Sequence, residues 1–222
     1  MQYPKTEELF ATDDQYLIGS DLLVRPVTEA GATEAVVCFP SKDIWYDVDT
    51  SMVASPAGAE IGVNTLTVSA DIDKIPVYQR GGSIIPRKLR LRRSAYLMKK
   101  DPYSIYVALD PSKQAVGSLY MDDEETFGHE KRSEFAQATF SVHGGSIKNS
   151  VTIGNGWASK VDDMKGDRMI ERIVVMGVDA LPSSVVTSDG APIEFEYDAV
   201  VKVLVLRKPN VSALVDWEIR MT

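Results

Sequence analysis

Residues 34–40 read Glu-Ala-Val-Val-Cys-Phe-Pro, a short apolar run rich in β-branched side chains and closed by a proline. Runs of this length and composition are typical of β-strands. Glycine-containing pairs that favour turns separate several of them. The spacing therefore favours β-sandwiches or barrels over alternating strand–helix units. The further runs occupy residues 66–70, 102–109, 117–121, 135–142, 171–178 and 200–207, and only residues 5–10 suggest a helix.

The composition is that of an ordinary globular chain. Of its 222 residues, 44% are apolar and 25% are charged, and the net charge is −8. An acidic chain lacks the basic face that nucleic acids or anionic membranes require, so neither is an expected partner. No apolar stretch is long enough to span a bilayer, and residues 1–10 lack the apolar core of a signal peptide. A basic run at 87–93, read as a solvated connector or a binding patch, marks a domain boundary near Met98.

Reactive side chains are few. His129 and His143 lie in polar or turn-forming sequence without a second ligand at helical spacing, and Cys38 lies inside an apolar run. No phosphate-binding loop and no nucleophile elbow is present. We therefore predict no metal site and no cofactor.

Two groups of polar and aromatic residues could carry chemistry. The acidic run that includes Asp122 and Asp123 follows a strand, where it would form a solvated turn, a polar or metal scaffold, or a catalytic pair. Successive residues of an extended chain point to opposite faces, which argues against the catalytic pair. Trp45, Tyr46 and Asp47 could form a platform for a sugar, whose apolar face stacks on rings. Alternatively, Trp45 belongs to the hydrophobic core.

Four motifs follow one another along the chain: DDQYLIGSDLLVRPV at 13–27, WYD at 45–47, IPVYQRGGSIIP at 75–86 and LYMDD at 119–123. Together they resemble the pattern of glycoside hydrolase family 31. They cover nearly the whole chain, and their order and spacing agree with the family pattern. Shorter strings at 91–94 (LRRS) and 205–209 (VLRKP) resemble the endoplasmic-reticulum glucosidase II branch of that family.

The resemblance implies a domain plan. The chain would follow the catalytic (β/α)8 barrel of a retaining α-glucosidase, with residues 1–12 as a remnant of the connecting segment. Residues 13–98 would form a proximal and residues 99–222 a distal domain, which gives an all-β fold of two consecutive antiparallel β-sandwich domains.

The resemblance also places the catalytic carboxylates upstream of this chain. Asp47 belongs to the WYD motif, so we do not assign it as a nucleophile, and no catalytic residue is predicted here. The candidates for structural or interdomain roles are Trp45, Asp47, Arg80, Gly81, Gly82, Asp122 and Asp123. Arg80 is expected to bind a carboxylate or carbonyls across the domain seam. Glu124 stands where the family has a glycine, a residue that tolerates positive φ.

The function implied is that of a non-catalytic C-terminal region that packs against and stabilises the barrel, inactive alone. The parent would trim α-1,3-linked glucose from N-glycans in the endoplasmic-reticulum lumen, with a glucosidase II β subunit as a further partner. Asn210, in Asn-Val-Ser, is a candidate glycosylation site. An isolated chain would expose the barrel-facing surface and self-associate. The alternative is an independent carbohydrate-binding or protein-interaction module.

Overall fold

The protein is described by a computed structural model that covers residues 2–222. Strands make up 43% of the chain and helices 9%, which confirms the all-β prediction. The strand predicted from the opening run is present with the same bounds, Glu34–Pro40. Within residues 2–222, none of the helices has the length and hydropathy that crossing a bilayer demands.

The first half of the chain forms a small sandwich. A five-stranded sheet lies against a two-stranded antiparallel ribbon of β3 (Glu34–Pro40) and β6 (Val63–Ser69). In spatial order the five strands are β1 (Tyr16–Ile18), β2 (Leu22–Val24), β7 (Val77–Arg80), β4 (Trp45–Asp47) and β5 (Val53–Ser55).

Aromatic side chains fill the space between the sheet and the ribbon. Phe39 of β3 meets the edge of the Tyr78 ring at a centroid distance of 4.8 Å and lies 6.2 Å from the Trp45 ring. All three side chains are buried, together with Leu23 and Val37. These five residues form the core of this small sandwich, which is called the proximal unit below.

Residues 83–222 contain a ten-stranded sheet, and this part of the chain is called the distal unit below. Two of its strand pairs, β8 with β10 and β9 with β13, are parallel rather than antiparallel. In spatial order the strands are β14 (Val185–Thr187), β17 (Trp217–Met221), β12 (Ser146–Ile153), β11 (Ala136–His143), β10 (Ala115–Met121), β8 (Ser83–Arg87), β9 (Tyr103–Ala108), β13 (Met169–Met176), β16 (Val203–Ser212) and β15 (Glu194–Asp198).

The ten-stranded sheet folds over onto itself. Phe140 and Ile147 from one half belong to the same buried cluster as Ile105, Ile173 and Leu204 from the other half. The core of this distal unit therefore lies between two halves of a continuous sheet, in the manner of a sandwich.

The helices of residues 2–222 are short: one precedes β1, and the others lie in connections between strands. Two are α-helical, and α1 contains His129, which the sequence placed in a loop. The bounds are α1 (Gly128–Arg132) and α2 (Val161–Met164), with 3₁₀ turns at Glu7–Leu9, Ala95–Met98 and Lys165–Arg168.

The distal sheet includes a strand that precedes the predicted boundary at Met98. Strand β8 pairs with β9 along its whole length and touches β10 at Ser83. Because β7 and β8 are separated only by Gly81 and Gly82, the chain passes from one unit to the other at this glycine pair. The boundary at 98 stays a prediction.

Candidate functional site

The WYD motif occupies strand β4, where its first two side chains point to opposite faces. Trp45 is fully buried in the proximal core, and its indole N–H donates to the carbonyl of Pro40 at 3.3 Å. This burial fits the core interpretation and leaves no exposed indole face for a sugar.

Tyr46 crosses to the distal unit. Its hydroxyl donates to the carbonyl of Leu109 at 2.8 Å, and its ring packs with Val174, Met176 and Val203. Burial raises the pKa of this phenol well above its usual range, so it remains a donor at all ordinary pH values. Tyr46 therefore joins the two units. The surface where they meet, which includes Tyr46, Leu109 and Met176, is called the seam below.

A glycine on the distal side makes room for Tyr46. Gly177 has φ +85°, and a Cβ at this position would overlap the Tyr46 hydroxyl. Any other residue would meet both backbone strain and a steric clash. The sequence motifs gave no sign of this partner, because Gly177 lies far along the chain.

Asp47 caps the turn that follows β4. Its Oδ1 accepts hydrogen bonds from the backbone N–H of Asp49 at 3.0 Å and of Thr50 at 2.7 Å, and from the Thr50 hydroxyl at 2.8 Å. Such a side-chain turn is a structural use of an aspartate.

The Arg-Gly-Gly segment forms the crossing point between the units. Arg80 Nη2 lies 3.1 Å from Asp21 Oδ1, and both residues belong to the proximal unit. Gly81 donates to the carbonyl of Ile44, and a Cβ there would overlap the Ile44 side chain. Gly82 has φ +88° and donates to the carbonyl of Ala108. The two glycines thus allow the close crossing.

Gln79 is a seam residue that the sequence analysis missed. Its side chain is fully buried and donates to the carbonyls of Ser83 at 3.2 Å and Tyr106 at 3.1 Å. Its Oε1 accepts from Arg87, whose guanidinium lies 4.0 Å above the Tyr106 ring centroid. A buried amide with several partners fixes the relative position of the strands that surround it.

The acidic run forms a compact loop after β10. Asp123 accepts hydrogen bonds from the Thr126 hydroxyl and from the backbone N–H groups of Thr126 and Glu125, which lowers the pKa of Asp123 to about 2. Asp122 Oδ1 accepts from the N–H of Glu124 at 2.8 Å. Glu124 has φ +60°, the conformation that the family's glycine would suit.

The basic and acidic runs approach each other. Lys88 Nζ lies 4.0 Å from Glu124 Oε1, and Lys99 Nζ lies 2.9 Å from Glu125 Oε1. Another basic residue, Arg92, forms a two-point contact with Asp101. These ion pairs hold part of the connector against the distal unit.

The structure therefore separates the candidate residues into two groups. Trp45, Arg80, Gly81 and Gly82 gather around β4 and β7 near the seam, with Asp47 at the end of β4. Asp122 and Asp123 lie in the loop after β10. Asn210 is exposed and has φ +57°, in a part of β16 where the register with β13 shifts.

Comparison with known proteins identifies a family. Residues 1–85 match the glycosyl hydrolase family 31 C-terminal domain. Over the whole chain, the sequence is 36% identical to neutral alpha-glucosidase AB of Mus musculus and 39% identical to that of Dictyostelium discoideum. The chain spans 23% of the length of each of these relatives.

A solved structure agrees with this relationship. The crystal structure of glucosidase II alpha subunit in its Tris-bound form matches 95% of this chain and 24% of its own, with a TM-score of 0.80 and 29% identity. The chain belongs to glycosyl hydrolase family 31 and corresponds to a C-terminal part of its α-glucosidases.

Proposed function

We propose that this chain is a non-catalytic C-terminal region of a retaining α-glucosidase, which packs against and stabilises the catalytic barrel. The observation that carries the proposal is the match of the whole chain to 23% of neutral alpha-glucosidase AB. By this relationship the parent removes α-1,3-linked glucose from N-glycans in the endoplasmic-reticulum lumen. A regulatory β subunit would be its further partner, as in the solved glucosidase II heterodimeric complex.

The state of the carboxylates supports the non-catalytic role. Retaining hydrolysis needs two carboxyl groups about 5–5.5 Å apart, one of them acting as nucleophile. Asp47 and Asp123 instead each accept three hydrogen bonds from their own turns. Each of these carboxylates therefore caps its own turn, Asp47 after β4 in the proximal unit and Asp123 after β10 in the distal unit, which is a structural use of the side chain.

A hydrolysis assay tests the non-catalytic role. The isolated chain is expected to release no nitrophenol from 4-nitrophenyl α-glucopyranoside above the buffer rate. Asp47→Asn and Asp122→Asn are the matched variants. Release that disappears in either variant would place a catalytic group in this chain and overturn the proposal.

The edge of the proximal sheet supports the packing role. Strand β1 lies at this edge, and its residues Tyr16 and Ile18 are 52% and 54% exposed. The two side chains share one face because they are two positions apart. An adjacent cavity of about 230 Å³ is lined mainly by apolar groups that include Tyr3, Leu9 and Leu17. An exposed apolar edge beside a cavity is typical of a surface that another domain covers.

Charge placed on this edge tests the packing role. Ile18→Lys is expected to leave the free energy of unfolding of this chain within about 0.5 kcal/mol, because the side chain is exposed. In the longer protein that contains the barrel, the same change should lower both the melting temperature and the α-glucosidase activity. Val200→Lys, at an 87% exposed distal position, is the matched control. Equal melting temperatures for the two longer variants would count against packing through β1.

The proposed glycosylation of Asn210, which would suit a lumenal chain, has its own test. The Ser212 hydroxyl of the same motif donates to the carbonyl of Lys165 at 2.9 Å and is buried, so a glycan would have to be added before folding. Expressed behind a signal peptide in a secretory cell, the chain should lose mass on treatment with an N-glycosidase. Asn210→Gln should remove the sensitive species. A chain that is secreted without any sensitive species would contradict glycosylation at Asn210.

A further inference from the structure

A cavity of about 280 Å³ lies in the distal unit, away from the seam. Its walls come from the segment before β9, the loop after β10 and the helical segment that follows Trp157. Trp157 and Met164 provide apolar wall, and charged side chains provide the remainder. This size suits one small ring-shaped molecule rather than an extended chain, since pockets for drug-sized ligands begin at roughly 300 Å³.

A buried arginine with an unused donor lines this cavity. Arg168 is 4% exposed, and its Nη1 donates to the carbonyls of Lys99 at 3.0 Å and Asp167 at 3.2 Å. Its Nε is buried and has no hydrogen-bond partner among residues 2–222. Because an unpaired buried donor is unfavourable, the site is suited to a molecule that brings an acceptor oxygen.

The charges around the cavity disfavour ions of either sign. The lining has four acidic side chains (Asp122, Asp123, Glu134 and Asp167) and four basic ones (Lys99, Lys100, Lys160 and Arg168), so the cavity carries no net charge that would favour an ion of either sign. A cation would need free carboxylates, but Glu134 pairs with Arg132 and Lys160, and Asp167 pairs with Lys100. No group of metal-binding side chains was found among residues 2–222.

One carboxylate oxygen of the lining remains available as an acceptor. Asp122 Oδ2 lies 3.7 Å from His129 Nδ1, beyond hydrogen-bonding distance. A hydroxyl group can both accept from Arg168 Nε and donate to Asp122, and a pyranose carries several hydroxyl groups on one small ring. We propose that this cavity binds a single neutral pyranose residue.

The three tryptophans of the chain provide a direct measurement. Each gives one indole N–H resonance in a ¹⁵N–¹H spectrum, and Trp157→Phe assigns the resonance of Trp157. Titration with methyl α-D-glucopyranoside and methyl α-D-mannopyranoside is expected to move the Trp157 resonance saturably, in the millimolar range. The Trp45 and Trp217 resonances should stay in place. A Trp157 resonance that both sugars leave unmoved at saturating concentrations overturns the proposal.

Variants distinguish this cavity from other sugar contacts. Arg168→Lys keeps the positive charge but removes the Nε donor, and it should weaken binding about tenfold. If Arg168→Lys does not fold, Asp122→Asn and the cavity-filling Met164→Tyr carry the test, and each should reduce the shift. Asp189→Asn is the matched control. Asp189 lies in another exposed turn, where it accepts a hydrogen bond from the Thr187 hydroxyl, and the variant should bind the sugars normally. Full binding by Met164→Tyr would overturn the site.

A negatively charged sugar tests whether the cavity prefers a neutral ligand. Methyl α-D-glucuronide has the same ring but an added carboxylate, and it should bind more weakly because the cavity offers that carboxylate no net positive charge. Tighter binding of the glucuronide than of the glucoside would overturn the assignment to a neutral ligand. Since binding is measured without hydrolysis, this result and the proposed role beside the barrel can fail independently.

Discussion

The proximal and distal units bury their side chains in different ways. The proximal core depends on three aromatic rings and two aliphatic residues, between a five-stranded sheet and a two-stranded ribbon. The distal core draws aliphatic side chains from most strands of a ten-stranded sheet that folds over onto itself. A small core has little reserve, because each residue carries a large share of the buried area. The proximal unit should therefore depend more on single residues and on its neighbours.

The seam shows how this dependence is met. Tyr46 and Gln79 leave the proximal sheet and place their polar groups among distal carbonyls. Val174 and Met176 of the distal sheet pack against the Tyr46 ring. The smaller proximal unit therefore depends on its contacts with the distal unit for part of its stability.

Loss of Trp45 tests the difference most severely. Trp45→Ala should lower the free energy of unfolding of the proximal unit by about 3–5 kcal/mol, because it leaves a large cavity in a small core. Native-state hydrogen exchange is the measurement: the amides of β3 and β7 should lose protection while those of β13 keep it. Equal loss of protection in all three strands would mean that both units unfold together and would remove the distinction.

A pair of changes at the seam has the next largest effect. Gly177→Ala should cost about 2 kcal/mol or more, because it adds strain at positive φ to a clash with the Tyr46 hydroxyl. Tyr46→Phe removes the hydrogen bond to Leu109 and should cost about 1–3 kcal/mol. The double variant should lose less than the sum of both, because phenylalanine lacks the clashing oxygen. Urea unfolding measures all three, and strict additivity would contradict the contact.

Alkaline pH should affect the proximal unit first. Burial, and then the charge of Asp47, raise the pKa of Tyr78 to about 12, above the value of about 10 expected in an unfolded chain. The unfolded chain therefore loses this proton first, and stability that is complete below pH about 10 falls as the pH rises to about 12. Thermal melts across this range should show an earlier loss of the proximal unit. Tyr78→Phe should flatten this dependence, and an unchanged slope in that variant would assign it to other groups.

The sequence predicted the long strands better than the seam. The run at 34–40 forms β3 because β-branched residues suit a half-buried pleated surface. Strands β4 and β7 have only three and four residues, and Tyr46, Gln79 and Arg80 give them a partly polar composition. Their contacts with the distal unit involve Gly177 and Tyr106, whose proximity no local pattern encodes. The parallel pairing of β9 with β13 also joins distant segments, which periodicity alone cannot align.

A change in the acidic loop should have the smallest effect of the four, and it should increase the free energy of unfolding. Glu124 adopts φ +60°, which costs a residue with a side chain about 1–2 kcal/mol. Glu124→Gly removes this strain but adds freedom to the unfolded chain, which offsets about 0.5–1 kcal/mol. A net gain of about 0.5 kcal/mol in the free energy of unfolding is expected, and it should appear in the distal transition alone. Glu125→Gly, at the next position of the same loop, is the matched control and should give no gain. A loss of stability in Glu124→Gly would mean that its 4.0 Å contact with Lys88 outweighs the backbone strain.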